Sequence, residues 1–403
     1  MHASDGPTTT PEGPVRPPRR ARHRLAASAT VAAALVALGL TACVPLDRPA
    51  DVSGIQLVST TVDGGYRIEY YRNLAYPCSA SGHQTFAIGY PEGLPATTAR
   101  PLWTYLHGGG VGWFDDDGTA RPEPMFLTEE SLLELRNGSV QPGLTRRVLA
   151  DPAGFRFLAV SMCNRDLYSG AGQVDANNPN LLPDGSTRTT NGLLATKAAV
   201  QFAHERFATT DYVLHGGSAG SVGTYSVGWS LQLQGLAPAG IVADSFVINH
   251  EWIGAVLDQG VPCPTAGPSL AGQQQALARL HPRIGHPANE PHRLVERGEL
   301  TVPIAQVWNH GDPWGCGAAP MNCPLPDGTV VRLGAADCQN EPLRRAIAAQ
   351  GPSSRSMSLG LCVGQDCRVH VVTDPDGTNT DPTGPADYNG AILAWVHQRL
   401  TDR

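Results

Sequence analysis

The sequence predicts an α/β fold, with a mostly parallel central sheet, helices on both faces and a small inserted cap. Two observations point to it. Short apolar runs alternate with longer runs of helical spacing, and that alternation implies right-handed βαβ crossovers and a sheet covered on both sides. The 45 glycines and 34 prolines in 403 residues supply the turns that so many crossovers need.

Taken in order, "IQLVSTTV", "YRIEYYRN" and "TFAIGYP" read as early strands separated by Gly, Pro and Asp turns. "RPLWTYLH" is a strand running into three consecutive glycines, and "FRFLAVSM" is a further buried strand. "TTNGLLATKAAVQFAHERF" carries Leu193, Leu194, Ala198, Val200, Ala203 and Phe207 at helical spacing. "DYVLHGGSAG" is a strand ending abruptly in glycine, and the helical "SVGTYSVGWSLQLQG" follows it. "AGIVADSF", "VPIAQVWNH" and "CRVHVVTD" read as three more strands, and "YNGAILAWVHQRL" as an amphipathic closing helix. The proline-rich stretch from about 251 to 300, with the helical "LAGQQQALARL", reads as the inserted cap. No internal repeat is present.

Charged residues make up 16% of the chain and the formal net charge is −7, which argues against a nucleic-acid partner. Lys197 is the only lysine, so the cations are arginines. Residues 1–24 are polar, proline-rich and basic, and "LAASATVAAALVALGL" follows as an apolar run too short to span a bilayer. It ends in Leu40-Thr41-Ala42-Cys43, which resembles the lipobox of bacterial lipoproteins. That resemblance implies cleavage before Cys43 and acylation of its thiol; the bland alternative is an ordinary signal peptide with a chance cysteine. The expected organisation is therefore a signal over 1–43, a tether over 44–53 and one α/β domain with its cap insertion over 54–403. The expected location is the outer face of the bacterial cell membrane, through a lipid anchor, or free secretion.

Of 9 cysteines, those after Cys43 are Cys78, Cys163, Cys263, Cys316, Cys323, Cys338, Cys362 and Cys367. An even set in an exported chain reads as disulfides, and short loops suggest Cys316–Cys323 and Cys362–Cys367. No C-x-x-C pair occurs, so zinc is a poor reading and no metal is expected.

Gly216-Gly217-Ser218-Ala219-Gly220 matches G-x-S-x-G. The pentapeptide alone is weak, but it lies between a strand and a helix, where a nucleophilic serine is held on a strained turn with glycine two residues to either side. The bland alternative is a glycine-rich βα turn. "YLHGGGVGW", residues 105–113, lies two strands upstream. A glycine run after a strand lets backbone N–H groups approach a reacting carbonyl and stabilise its oxyanion. The donors would be Gly109 and Gly110, with Ala219 after the serine. A serine needs a base and the base an orienting carboxylate. Asp312 in the turn of "NHGDPWG" is the chosen acid, with Asp244 as rival. His370 is the chosen base, expected on the last strand; His310 precedes Asp312 and would break the chain order, and His397 lies on the closing helix.

"LHGGGVGW", "GGSAGS", "NHGDPWG", "SMCNRDLYSGAG" and the late His370 resemble the α/β-hydrolases of the pectin acetylesterase/Notum type, over roughly residues 66–400. The histidine heading the glycine loop is more similar to the hormone-sensitive-lipase group of esterases, and Ser221 stands where that elbow usually has glycine. The resemblance implies a cofactor-free, disulfide-rich serine esterase. Ser218 would be its nucleophile, His370 the base, Asp312 the orienting acid, and Gly109, Gly110 and Ala219 the oxyanion donors. A small-molecule or glycan ester, such as an O-acetyl ester, would be the substrate. A non-catalytic binding protein on the same fold, or a lipase or peptidase, is the competing reading.

Two acidic stretches read as turns. Asp115, Asp116 and Asp117 follow the glycine loop. "TDPDGTNTDP" has the spacing of a calcium loop only in part, lacking its glycine at the sixth position and its closing glutamate.

Overall fold

The computed structural model describes residues 45–121, 127–263, 275–364 and 366–402. The expected signal, with its acylation site Cys43, and part of the expected cap lie outside the described residues. The central sheet consists of β1 (Ile55–Asp63), β2 (Tyr66–Pro77), β3 (His83–Pro91), β4 (Arg100–Leu106), β5 (Arg156–Val160), β6 (Thr209–Gly217), β7 (Gly240–Asp244), β8 (Ile304–Asn309) and β9 (Arg355–Leu359). These 9 strands lie in the order β1-β2-β3-β5-β4-β6-β7-β8-β9. The β1–β2, β2–β3 and β3–β5 pairs are antiparallel and every later pair is parallel.

Burial follows position in the sheet. The residues of β5, β7 and β8 are buried throughout, as strands covered on both faces must be. The edge strand β1 is exposed along most of its length.

The helices are α1 (Leu132–Ser139), α2 (Leu144–Leu149), α3 (Gly192–Arg206), α4 (Ala219–Leu233), α5 (His250–Asp258), α6 (Pro291–Glu296), α7 (Ala335–Ala349) and α8 (Tyr388–Thr401). On one face of the sheet, residues of α3, α4 and α7 pack with Leu102, Leu214 and Ile304. On the other, Leu144 and Val148 of α2 and Ile392, Trp395 and Val396 of α8 pack with Trp103, Val213 and Val307. The α/β expectation thus holds, with helices on both faces.

Three expectations need correction. The last strand is "RSMSL" at 355–359, and residues 367–374 form a loop. Three of their backbone N–H groups go to side chains instead of a neighbouring strand: Val371 to Ser245 Oγ (3.0 Å), Val372 to Asp244 Oδ1 (3.0 Å) and Thr373 to Asp244 Oδ2 (2.7 Å). The segment from residue 45 is no free tether. Leu46 is 2% exposed, and Lys197 Nζ donates to the carbonyls of Leu46 (3.0 Å) and Arg48 (2.7 Å), fixing the chain to α3. Finally, Cys316 bonds Cys263 and Cys323 bonds Cys338, while Cys362–Cys367 pairs as expected and Cys78–Cys163 completes the set.

The reason for the second pairing lies in the tertiary structure. The antiparallel hairpin Pro320–Pro324/Val330–Gly334 and α7 follow β8. Cys316, Met321, Cys323, Leu325, Ala335 and Cys338 join Trp252 of α5 in a separate small core, so each sulfur meets a partner from another element.

Candidate active site

The sheet register gathers the candidate residues. Leu106 pairs with Gly216, Gly217 with Asp244, Asp244 with Val307 and Asn309 with Leu359. The C-terminal ends of β4, β6, β7, β8 and β9 therefore lie side by side. The loops after four of them carry the glycine triplet, Ser218, Asp312 and His370. Ligand sites of open parallel sheets form at such ends.

Ser218 sits between β6 and α4 with φ 56° and ψ −118°, outside the regions favoured by residues with a Cβ. Such a conformation costs on the order of 1–3 kcal/mol and persists only where the surroundings impose it. Here Ser218 N–H donates to Asp244 O (2.9 Å). A Cβ at Gly216 would stand 2.2 Å from Gly220 O, and one at Gly220 would stand 1.8 Å from Leu106 O. The glycines flanking the serine are thus required by backbone-to-backbone approach. Ala219 is the first residue of α4, where backbone N–H groups have no partner within the helix.

The glycine loop lies against this turn. A Cβ on Gly108 would be 3.1 Å from Ser218 Cβ and 3.7 Å from its Oγ. Gly110 takes φ 74°, a conformation glycine adopts without penalty. The histidine that heads the loop, together with residues that the sequence did not single out, holds it. His107 is buried, with Nε2 2.9 Å from Glu130 Oε2 and Nδ1 2.7 Å from Gly108 O. Gly108 O is an acceptor, so Nδ1 donates to it, and Nε2 shares a proton with the Glu130 carboxylate. Burial works against a charge on the ring, but the Glu130 carboxylate and the hydrogen bonds carry the histidine above its usual range. Glu130 Oε1 also accepts from Met162 N (2.7 Å), and Tyr168 Oη donates to His107 O (3.1 Å). Arg165 Nη2 donates to Gly109 O, and Arg279 Nη1 to Gly112 O.

On the other side of the turn, His370 Nδ1 lies 2.9 Å and 2.8 Å from the two carboxylate oxygens of Asp312. Asp312 is buried, accepts from Trp314 N (2.9 Å) and caps the turn Pro313–Gly315. Val371 crosses over the elbow, because a Cβ on Gly217 would be 2.5 Å from Val371 Cγ1. His370 Nε2 is buried with no hydrogen-bond partner among the described residues, so its contact with Ser218 Oγ is not made in this structure. Catalytic contacts often tighten only when substrate is bound.

The rivals have other partners. Among the described residues Asp244 meets no histidine; it holds the backbone of Val372 and Thr373 and the Oγ of Ser245 and Thr373. His310 is bracketed by Asp337 (2.8 Å) and Asp381 (3.1 Å), and the hydrogen bond to Asp337 leads in raising it to about 9. His397 pairs with Asp151 (2.9 Å). The carboxylates of the two acidic stretches also diverge. Asp115 meets Arg121 (2.6 Å) and Asp116 meets Asn177 (3.0 Å), while Asp374 accepts from Tyr105 (3.1 Å) and Asp376 pairs with Arg147 (2.5 Å).

A serine on a strained turn after β6, facing a glycine loop after β4 of a sheet in this order, decides the architecture. The fold is that of the α/β-hydrolases. No protein-family profile and no curated protein sequence matches the chain. Solved structures similar to it include brefeldin A esterase, described as a bacterial homologue of human hormone sensitive lipase, at 18% identity. That match covers 93% of this chain and 87% of the other, with a TM-score of 0.43. Carboxyl esterase 2 of the mycorrhizal fungus Tuber melanosporum is 14% identical over 92% of this chain and 96% of its own, with a TM-score of 0.46. An S-formylglutathione hydrolase from Agrobacterium tumefaciens is 10% identical, over 86% and 99%, with a TM-score of 0.45. These likenesses are distant, and the α/β-hydrolase assignment rests on the sheet and the elbow.

Proposed function

We propose that the protein is an exported serine hydrolase that cleaves carboxylic esters through an acyl-enzyme. Short acyl groups such as acetyl, carried on a small molecule or a glycan, are the proposed substrates. The observation that carries the reading is the apposition of the glycine loop to the serine turn: a Cβ on Gly108 would stand 3.1 Å from Ser218 Cβ and 3.7 Å from its Oγ. Ser218 Oγ attacks the ester carbon while His370 Nε2 takes its proton. Asp312 holds the ring through Nδ1 and offsets the charge the ring acquires. The negative oxygen of the tetrahedral intermediate rests on the N–H groups of Gly109, Gly110 and Ala219. His370 returns the proton to the leaving alcohol, and water then cleaves the acyl-serine by the same relay in reverse order of roles. No step calls for a cofactor or metal.

Export and anchoring belong to the same proposal. Four disulfides suit an oxidising compartment, and the Leu40–Cys43 sequence suits acylation of Cys43 and attachment to the membrane. Incorporation of labelled palmitate into the full chain, absent in Cys43→Ala, tests the anchor.

The test of the activity is a series of nitrophenyl esters of rising acyl length, followed by acetylated glycans. Turnover that falls steeply beyond short chains and vanishes in Ser218→Ala supports the reading. Unchanged turnover in Ser218→Ala, or none on any ester, would remove it.

A further inference from the structure

Each oxyanion donor in the glycine loop shares a peptide unit with a carbonyl, and in a trans peptide the two point in opposite directions. The unit that carries Gly109 N–H has its carbonyl, Gly108 O, bound by His107 Nδ1 at 2.7 Å. The unit that carries Gly110 N–H has its carbonyl, Gly109 O, bound by Arg165 Nη2. We propose that Arg165 is a positioning residue for the oxyanion: by gripping Gly109 O it turns Gly110 N–H toward the carbonyl that reacts with Ser218. The proposal rests on the reading of Ser218 as nucleophile.

The setting of Arg165 fits that task. Its side chain is buried, and the loop wraps around it. A Cβ on Gly112 would be 3.1 Å from Arg165 Cβ, and one on Gly110 would be 3.3 Å from Arg165 Nη2. Gly112 N–H donates to Arg165 O (2.9 Å), so the same residue holds the loop through main chain and side chain. Arg165 itself takes φ 48°, as do Leu167 and Tyr168 at 55°, so this turn is fixed by its contacts and not by local preference.

Arg279 braces the arrangement from the segment between β7 and β8. Its Nη1 donates to Gly112 O and approaches Arg165 O at 3.4 Å, while its Nε pairs with Asp175 at 2.7 Å. Burial, and then the nearby Arg279 charge, lower Arg165 to about 10, still well above neutral pH. Two guanidinium groups thus hold backbone carbonyls on both sides of the loop, Arg165 that of Gly109 and Arg279 those of Gly112 and Asn164. With Gly109 O released, the 109–110 peptide loses this anchor, and a donor worth about 10²–10³ in kcat is lost or misaimed.

The test uses the full chain, with active sites counted by fluorophosphonate titration. In Arg165→Met, kcat per titrated site should fall roughly 10- to 100-fold with KM within about threefold. The inhibition constant of a trifluoromethyl ketone, whose serine adduct carries the same oxyanion, should weaken in parallel. Arg165→Lys, which keeps one donor, should recover part of the loss. Arg165→Gln, polar but too short to reach the carbonyl, should behave like Met and gives the reading if Met does not fold. Unchanged kcat per site and an unchanged inhibition constant in either variant would overturn the proposal. Because Ser218→Ala tests the underlying activity separately, the two failures are distinguishable.

Discussion

The reactivity proposed for Ser218 depends on what its neighbours lack. Side chains are missing at Gly108, Gly216 and Gly220, where a Cβ would stand 3.1 Å from Ser218 Cβ, 2.2 Å from Gly220 O and 1.8 Å from Leu106 O. The three absences have different consequences. Gly108→Ala puts a methyl 3.7 Å from Ser218 Oγ, with its tightest contacts at Ser218 Cβ (3.1 Å) and Gly217 O (3.3 Å) and none below 3.0 Å. Activity should fall at least 100-fold with little change in melting temperature, read by turnover and thermal unfolding on the same sample. Gly220→Ala drives a methyl into backbone and should prevent stable folding, read as loss of soluble protein. Asp312→Asn keeps the shape of the dyad but removes the charge that favours the imidazolium, so kcat should drop by roughly 10⁴. The strained serine turn, its glycines and the Asp312–His370 contact were legible because each is demanded by local chemistry at a fixed spacing. Glu130, Arg165 and Arg279 were not, because a buried charge that grips a distant carbonyl leaves no local pattern.

At the scale of elements, the loops that carry Asp312 and His370 hang from strands but are fastened by sulfur. Cys316 lies just past the Asp312 turn and is tied to Cys263 beyond α5; Cys362–Cys367 closes the loop just before His370. Cys367 O also accepts from Asn309 Nδ2 (2.9 Å), linking that loop to the end of β8. A five-residue separation closes little chain, so removing this bridge costs about 2 kcal/mol, against roughly 4–5 for the 85-residue loop closed by Cys78–Cys163. The double variant Cys362→Ser/Cys367→Ser should therefore lose kcat by more than its modest fall in melting temperature would account for. Equal kcat with the bridge removed would show that this loop holds itself. Strongly apolar elements such as β5 and β8 were plain in the sequence. The strand β9 was not, since "RSMSL" alternates with serine and spends its pattern on one neighbour. Residues 367–374 have strand-like composition but lose three of their backbone donors to Asp244 and Ser245. Pro342 hides α7 by interrupting its helical pattern, whereas the Ser131–Glu134 capping box of α1 is a signal that sequence alone could have supplied.

Across the whole molecule, the site is one end of a sheet whose order brings five strand termini together, and its charges give a pH signature. His310 bridges Asp337 and Asp381, joining the end of β8 to α7 and to the loop before α8, and it is raised to about 9 from an ordinary value of 6.5. A group raised on folding favours the folded state fully below its unfolded value, and that contribution disappears as pH climbs through the folded one. The melting temperature of the protein should therefore exceed that of His310→Gln at pH 6, and the gap should close by pH 10. Because the His310 side chain is 38% exposed, solvent screening keeps the gap to a few degrees. A gap independent of pH would contradict the pairing. Asp374 is raised to about 7 by burial and by Asp244, so it adds a second loss of stability, complete once pH passes 7.

The account turns on one chemical event, transfer of an acyl group to Ser218 in front of the glycine loop. Peptide mapping by mass spectrometry after reaction with a fluorophosphonate tests it most directly. The account predicts one adduct, on Ser218, formed in the wild type, slowed in Gly108→Ala and absent from Ser218→Ala. Modification at another residue, or an unmodified Ser218 in protein that still hydrolyses esters, would contradict it.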